Sequence, residues 1–266
     1  MKGSDVKVSD LSGKVVLVTG ATRGLGRSMV QAFAEAGADI AIVSRKQSAC
    51  DATAAEIAAL GVRTFAYACH MGHWDEIEPM VEAVYQALGK VDVLVNNAGM
   101  SPLYPSLGEV SEDMFDKVIG VNFKGPFRLT ALVGERMQRA GSGSVINISS
   151  TASYDFPATA LPYGGAKAAL NGLTLVFADA YSPQVRVNCI VVGPFATDVA
   201  EHWPDSPDPA NPGFTQSGMR VGLPEEIVGA AMYFATEASS YTSGALLRVD
   251  GGPRSTKSPA SRGLSA

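Results

Sequence analysis

Six short runs rich in β-branched residues recur along this 266-residue chain with helix-length stretches between them, and this alternation limits the fold more than any other feature. The runs are Val15–Thr19, 40–44, 63–66, Val93–Asn96, 144–148 and 185–190. Helix-like patterns occupy 25–36, 49–60, 76–88, part of 111–139, and the neighbourhood of 163–181. Strands that are apolar almost throughout belong to a sheet covered on both faces, and strands separated by helices pair in parallel with right-handed crossovers. The expectation is an α/β chain: a single-domain, Rossmann-type, doubly wound parallel sheet with helices on both faces.

A chain of this length folds around one core in such an architecture, and the domain is expected to span 1–252. Segment 198–220 interrupts the rhythm with Pro204, Pro207, Pro209 and Pro212 around Trp203 and Phe214, and reads as a lid over a substrate. Segment 253–266, rich in Ser, Pro and Arg, reads as a flexible tail, and no internal repeat is present.

Twenty-one basic residues against 26 acidic ones give a net charge of −5, so no basic field points to nucleic acid. No run of about 18 apolar residues predicts a membrane span, and residues 1–14 lack the apolar centre of a signal peptide. The expected address is the cytoplasm. Cys50, Cys69 and Cys189, at unrelated spacings, read as free thiols of a reducing compartment.

Ligands of doubly wound sheets bind beyond the carboxyl ends of the strands. Beyond the first run comes Thr19-Gly20-Ala21-Thr22-Arg23-Gly24-Leu25-Gly26, then a helix. Gly20 suits the tight turn, while Gly24 and Gly26 let the backbone approach a pyrophosphate, which the helix N-terminus favours. Gly-Lys-Ser/Thr does not follow, so a P-loop is excluded. The second run ends in Ser44-Arg45 where an NAD-binding fold usually carries an acid for the ribose hydroxyls. An arginine there accommodates a 2′-phosphate, and NADP(H) is expected to be preferred, with NAD(H) as the alternative.

Tyr163 and Lys167 stand at i and i+4 of a predicted helix, on one face and a turn apart. A positive charge beside a phenol favours its ionised form, which would draw the Tyr163 pKa down from its usual value near 10. Tyr163 could then exchange a proton with a substrate oxygen.

Taken in order, these motifs resemble the short-chain dehydrogenase/reductase family along residues 11–252. The Thr19–Gly26 turn looks like that family's cofactor turn, Asn96-Asn97-Ala98-Gly99 like its Asn-Asn-Ala-Gly, and Tyr163 to Lys167 like its active-site pair. The resemblance implies that Ser150, thirteen residues before Tyr163, hydrogen-bonds the substrate oxygen. It also implies that Asn122 holds a relay water near Lys167, that Lys167 binds the nicotinamide ribose, and that Thr197, four residues after Gly193, binds the carboxamide. Thr22, Arg23, Leu25, His70, Met71, Asn97, Ala98, Gly99 and Phe195 complete the expected cofactor contacts, and no metal is expected. Val249-Asp250-Gly251-Gly252 resembles the closing strand and turn. Ser149 and Ser150 also admit a reading as strand-end caps, and Asn122 as a turn residue.

The chain departs from the family pattern in three places. Val192-Gly193-Pro194 replaces the frequent Pro-Gly, Cys69-His70-Met71 stands where an Asp often meets the adenine, and Gly164-Gly165 replaces Ser-Ala inside the active-site motif. Cys69, His70 and His73 lack a fourth ligand and fall short of a zinc pattern. Leu103, Tyr104, Tyr154, Phe156, Phe195 and Trp203 follow strand ends and suit an apolar or aromatic substrate.

The function expected from all this is hydride transfer between NADP(H) and a small-molecule carbonyl or secondary alcohol. The alternatives are an NAD-dependent alcohol or sugar dehydrogenase and a non-catalytic dinucleotide-binding module. A homotetramer follows from the resemblance alone.

Overall fold

A computed structural model of the chain describes residues 9–155, 158–197 and 221–252. The readings of a lid at 198–220 and a tail at 253–266, with Phe156 and Trp203, lie outside these described residues.

Seven parallel strands form one sheet: β1 (Val15–Thr19), β2 (Asp39–Ser44), β3 (Thr64–Ala68), β4 (Val93–Asn96), β5 (Gly143–Ser150), β6 (Val185–Val192) and β7 (Leu246–Val249). Their order is β3-β2-β1-β4-β5-β6-β7, so the direction of winding reverses between β1 and β4. That reversal opens a crevice at the carboxyl edge. The helices are α1 (Gly24–Glu35), α2 (Gln47–Ala58), α3 (Trp74–Leu88), α4 (Glu112–Ile119), α5 (Gly125–Ala140), α6 (Ala152–Asp155), α7 (Leu161–Ala180) and α8 (Val228–Ala235).

Side chains of opposite parity along a strand bury on opposite faces. Val16 and Val18 of β1, with Ile40 and Ile42 of β2, pack against Phe33 of α1, Ile57 of α2 and Phe234 of α8. Val15 and Leu17, with Ala41 and Val43, pack against Met80 and Val84 of α3, Leu129 and Val133 of α5, and Phe177 of α7. Helices therefore cover both faces, and the expected doubly wound single-domain fold is the observed one.

Three details differ from the sequence reading. Arg63 precedes β3 and instead clasps Asp39, donating from Nη2 to Oδ2 at 2.7 Å and from its backbone N–H to Oδ1 at 2.8 Å. β5 and β6 run two residues further, to Ser150 and Val192, because the two strands stay paired to their ends. The helical stretch within 111–139 is divided by a π-helical turn, Gly120–Lys124. Just beyond that turn a Cβ on Gly125 would stand 2.1 Å from the Met71 carbonyl oxygen, so the bend brings helix backbone into contact with the loop after β3.

Candidate active site

β1 hands the chain to α1 through Gly20, at φ +65°, and Gly24, at φ +51°. A Cβ on Gly26 would meet the Gly20 carbonyl oxygen at 2.2 Å, so only glycine lets the helix start this close to the turn. No side chain caps α1 and no acid occupies its first turn, which leaves its positive end for an anionic ligand. Thr19 and Asn97 brace the turn. Asn97 Nδ2 donates to the carbonyl oxygens of Thr19 at 2.9 Å and Gly20 at 3.1 Å, and the N–H groups of Asn97 and Ala98 both donate to Thr19 Oγ1.

The turn forms one end of a cleft of about 460 Å³. Every residue singled out for the cofactor lines it: the glycine turn with Thr22, Arg23 and Leu25, then Ser44, Arg45, His70, Met71, Asn97, Ala98, Gly99, Tyr163, Lys167, Gly193, Phe195 and Thr197. Ser150 lines it too, whereas Asn122 lies behind it, fully buried.

At the β2 end, Thr22 Oγ1 donates to Ser44 Oγ at 3.2 Å, and exposed Arg45 follows at the rim. Among the described residues that line the cleft there is no carboxylate, while Arg23, Arg45 and Lys167 contribute cations. These residues fit a phosphorylated dinucleotide. His70 accepts the Gly72 N–H at Nδ1, 3.1 Å away, and its ring stacks on His73 at 4.2 Å. Burial, then the charges of His73 and Arg45, hold the His70 pKa below its ordinary value. Among the described residues no group of three or more His, Cys, Asp and Glu could hold a metal ion.

At the other end, Ser150 closes β5 while Tyr163 and Lys167 stand on the first turns of α7. Burial pushes the Tyr163 phenol above its ordinary pKa, and a hydrogen bond with the Ser150 hydroxyl pulls the other way. The lowering expected from Lys167 is therefore not met by the protein's own groups. Lys167 Nζ lies 5.7 Å from the Tyr163 ring centroid, and burial draws its own pKa down to about 8, so the same desolvation weakens both charges.

Asn122 occupies the π-helical turn, a distortion frequent at functional sites. Its Nδ2 donates to the carbonyl oxygens of Met100 at 2.8 Å and Val118 at 2.9 Å, and its Oδ1 accepts the Met100 N–H. A Cβ on Gly99 would stand 3.0 Å from Asn122 Oδ1 and 3.6 Å from Lys167 Nζ, so the three residues converge where the β4 loop must stay free of side chain.

Of the aromatic and apolar residues read as substrate contacts, Leu103 and Phe195 line the cleft. Tyr104 and Tyr154 do not. The Tyr104 hydroxyl donates to the Ala158 carbonyl and accepts the Leu161 N–H at 2.7 Å, so it serves the uncapped start of α7. The sequence reading missed Met100, Ser101, Thr151 and Thr159 on the cleft wall. Thr151 directly follows β5, so the rule about strand ends was the signal that could have found it.

A sequence model of the short chain dehydrogenase family matches residues 14–208. The chain belongs to that family. This short-chain dehydrogenase is 33% identical over 244 residues to human dehydrogenase/reductase SDR family member 4, covering 91% of this chain and 88% of the relative. Its fold superimposes on the NADPH-dependent 3-quinuclidinone reductase of Rhodotorula rubra with a TM-score of 0.83 at 29% identity, over 95% of each chain. An NAD+-bound xylitol dehydrogenase gives 0.80 at 28% identity, covering 91% of this chain and 99% of that one. The short-chain dehydrogenase is thus an oxidoreductase that uses a nicotinamide dinucleotide and a small-molecule substrate. Among its described residues no helix is long and apolar enough to cross a membrane.

Proposed function

We propose that this enzyme transfers a hydride between NADP(H) and a carbonyl or secondary-alcohol substrate, with Tyr163 as the acid/base. The observation that carries the proposal is that Ser150 at the end of β5 and Tyr163 and Lys167 on the first turns of α7 line the same cleft that begins at the glycine turn. A nicotinamide bound there supplies or accepts the hydride. Ser150 and Tyr163 hydrogen-bond the substrate oxygen. In reduction Tyr163 donates the proton to it, and in oxidation Tyr163 takes the proton back. Lys167 stands one helical turn away to hold the ribose and restore the Tyr163 proton. The Asn122 side chain is committed to Met100 and Val118, which supports a role in holding the bent turn beside Lys167 rather than in touching the substrate.

The phosphorylated cofactor is favoured by Arg45 and Arg23 at the rim and by Ser44 in place of an acid. The NAD+-bound xylitol dehydrogenase keeps an NAD-dependent sugar or alcohol activity as the second reading. Arg45 is the residue that argues against it. We further propose one catalytic domain, a cytoplasmic setting in keeping with three buried free thiols, and a homotetramer. Assembly would cover exposed Leu175 and Val176 of α7 and Leu247 of β7.

A panel of ketones, aldehydes and alcohols assayed with both cofactors tests the reading, with Tyr163→Phe as control. Turnover should favour NADPH and fall by about 10²–10⁴ in the variant, the usual contribution of a positioned acid/base. Near-normal turnover of Tyr163→Phe overturns the proposal.

A further inference from the structure

Two helical turns beyond Tyr163, on the same face of α7, stands Asn171, which is buried and lies outside the cleft wall. Residues eight apart on a helix share a face about 12 Å along its axis. Asn171 Nδ2 donates to Ser153 Oγ at 3.0 Å, and Ser153 Oγ donates to the Ser150 carbonyl oxygen at 2.6 Å. Asn171 Oδ1 faces Cys189 Sγ at 3.6 Å on β6. Ser150 Oγ accepts the Ala152 N–H at 3.2 Å and stands on the cleft wall with Tyr163, whose ionised form it favours.

These contacts form a chain of bonds. It leaves α7 at Asn171, passes through Ser153 and ends on the main-chain carbonyl of Ser150, whose side chain lines the cleft with Tyr163. A residue tied in this way to the helix that carries Tyr163 is restrained from sliding relative to it. The chain tip after β5, by contrast, is tied to the sheet by the Thr151 N–H, which donates to the Val192 carbonyl at 2.8 Å.

We propose that Asn171 is a positioning residue that, through Ser153, fixes where the Ser150 hydroxyl stands relative to Tyr163. The inference rests on the catalytic reading of Ser150 and Tyr163 given above. Attachment of α7 to the body of β5 does not need Asn171. Thr174 Oγ1 accepts Asn147 Nδ2 at 2.9 Å, Lys167 Nζ donates to the Ile148 carbonyl at 2.8 Å, and Ser149 Oγ donates to the Lys167 carbonyl at 3.2 Å. The chain of bonds from Asn171 through Ser153 is the connection that ends on the catalytic serine.

The groups around Tyr163 are Ser150, whose hydroxyl favours the phenolate, and Lys167, whose Nζ lies 5.7 Å from the Tyr163 ring centroid and which has as a further neighbour Cys189 of β6, a thiol kept neutral by burial. Loosening Ser150 therefore leaves Tyr163 harder to ionise. The test compares the full-length wild-type enzyme with Asn171→Leu, Ser153→Ala, the double variant and Tyr163→Phe. It measures kcat and KM for a ketone found in the panel, NADPH affinity by fluorescence, thermal midpoint, and the pH dependence of kcat.

The expected result is a kcat about tenfold to hundredfold lower, the scale of a small misplacement of a reacting group. The pH limb set by Tyr163 should move to higher pH, NADPH affinity should stay within twofold, and the double variant should be no worse than the poorer single one, because both act through one contact. Should Asn171→Leu fail to fold, Ser153→Ala, which removes one hydroxyl, decides the matter alone. Phenolate absorbance, wild type minus Tyr163→Phe, reads the same shift without turnover. An unshifted limb, or additive losses in the double variant, overturns the proposal. An active Tyr163→Phe instead overturns the catalytic reading beneath it, so the two failures are distinct.

Discussion

Lys167 Nζ on α7 donates to the carbonyl oxygen of Ile148 on β5 at 2.8 Å, joining positions 19 apart in the chain inside the core. An ammonium placed there keeps a partner but loses water, and burial draws its pKa from 10.5 to about 8.

A pH dependence of stability follows. A base whose pKa is lowered in the folded state binds fewer protons there than in the unfolded chain between about 8 and 10.5, so its contribution to stability rises with pH across that window and is unfavourable below it. Unfolding free energies of wild type and Lys167→Met, measured in urea at pH 7, 8.5 and 9.5, should differ in slope. Wild type should gain on the order of 2 kcal/mol relative to the variant over that range. A pH-independent difference would show that Lys167 stays fully charged in the fold.

The adjacent serines should separate cleanly. Both border the cleft, but Ser149 is buried with its hydroxyl committed to the Lys167 carbonyl, whereas the less buried Ser150 lies on the wall with Tyr163. Ser150→Ala is expected to lower kcat by about 10²–10³, as the loss of a donor aimed at a developing oxyanion does. Ser149→Ala loses a neutral hydrogen bond, roughly 1 kcal/mol of stability, with kcat little changed. The reverse ranking would move the catalytic role to Ser149.

Cofactor choice should respond to charge at the end of β2. In Ser44→Asp/Arg45→Ala the cation at the rim is lost and a carboxylate is placed beside Thr22, whose hydroxyl now donates to Ser44. A charge-assisted hydrogen bond of about 1.5–3 kcal/mol corresponds to roughly tenfold to hundredfold in preference. The ratio of kcat/KM for NADPH over NADH should fall by at least that factor and invert. A wild-type enzyme that already favours NADH would refute the assignment.

Two glycines should respond oppositely to alanine. Gly165 is exposed inside α7, and a Cβ there would touch nothing within 4 Å, so Gly165→Ala should raise stability by about 0.5–1 kcal/mol through helix propensity. Gly26→Ala would press its methyl into the Gly20 carbonyl and should abolish cofactor binding. Thermal midpoints and NADPH titration read both effects.

The parts legible in the sequence are those where a local pattern and a backbone requirement coincide. The glycine turn was visible because Gly20 and Gly24 need positive φ and Gly26 needs absent bulk, and the Tyr163–Lys167 pair because helical spacing alone puts both on one face. Tyr104 and Tyr154 misled, since position after a strand end does not say which way a loop side chain points. The π-helical turn left no periodicity to read, and the contact that accompanies it, Gly125 against the Met71 carbonyl, involves a loop distant in sequence. The raised Tyr163 pKa was hidden for the same reason: it depends on how much water the assembled walls exclude, and no single segment encodes that.

Beyond β6, Phe195 forms a bridge with Gly222, with the Ala196 N–H donating to the Gly222 carbonyl at 2.8 Å and the Gly222 N–H to the Pro194 carbonyl at 3.0 Å. A Cβ on Gly222 would stand 2.9 Å from the Phe195 ring, so the clasp is packed as well as hydrogen-bonded. The entropy of bringing the two ends of the intervening stretch together is met at this clasp, and it grows only slowly with the number of residues enclosed. Residues between the two ends can therefore be lengthened, shortened or exchanged between relatives at little cost to the sheet. The clasp thus uncouples the length of what it encloses from the geometry of the strands and of the cofactor turn, which keep their places on the sheet side of it.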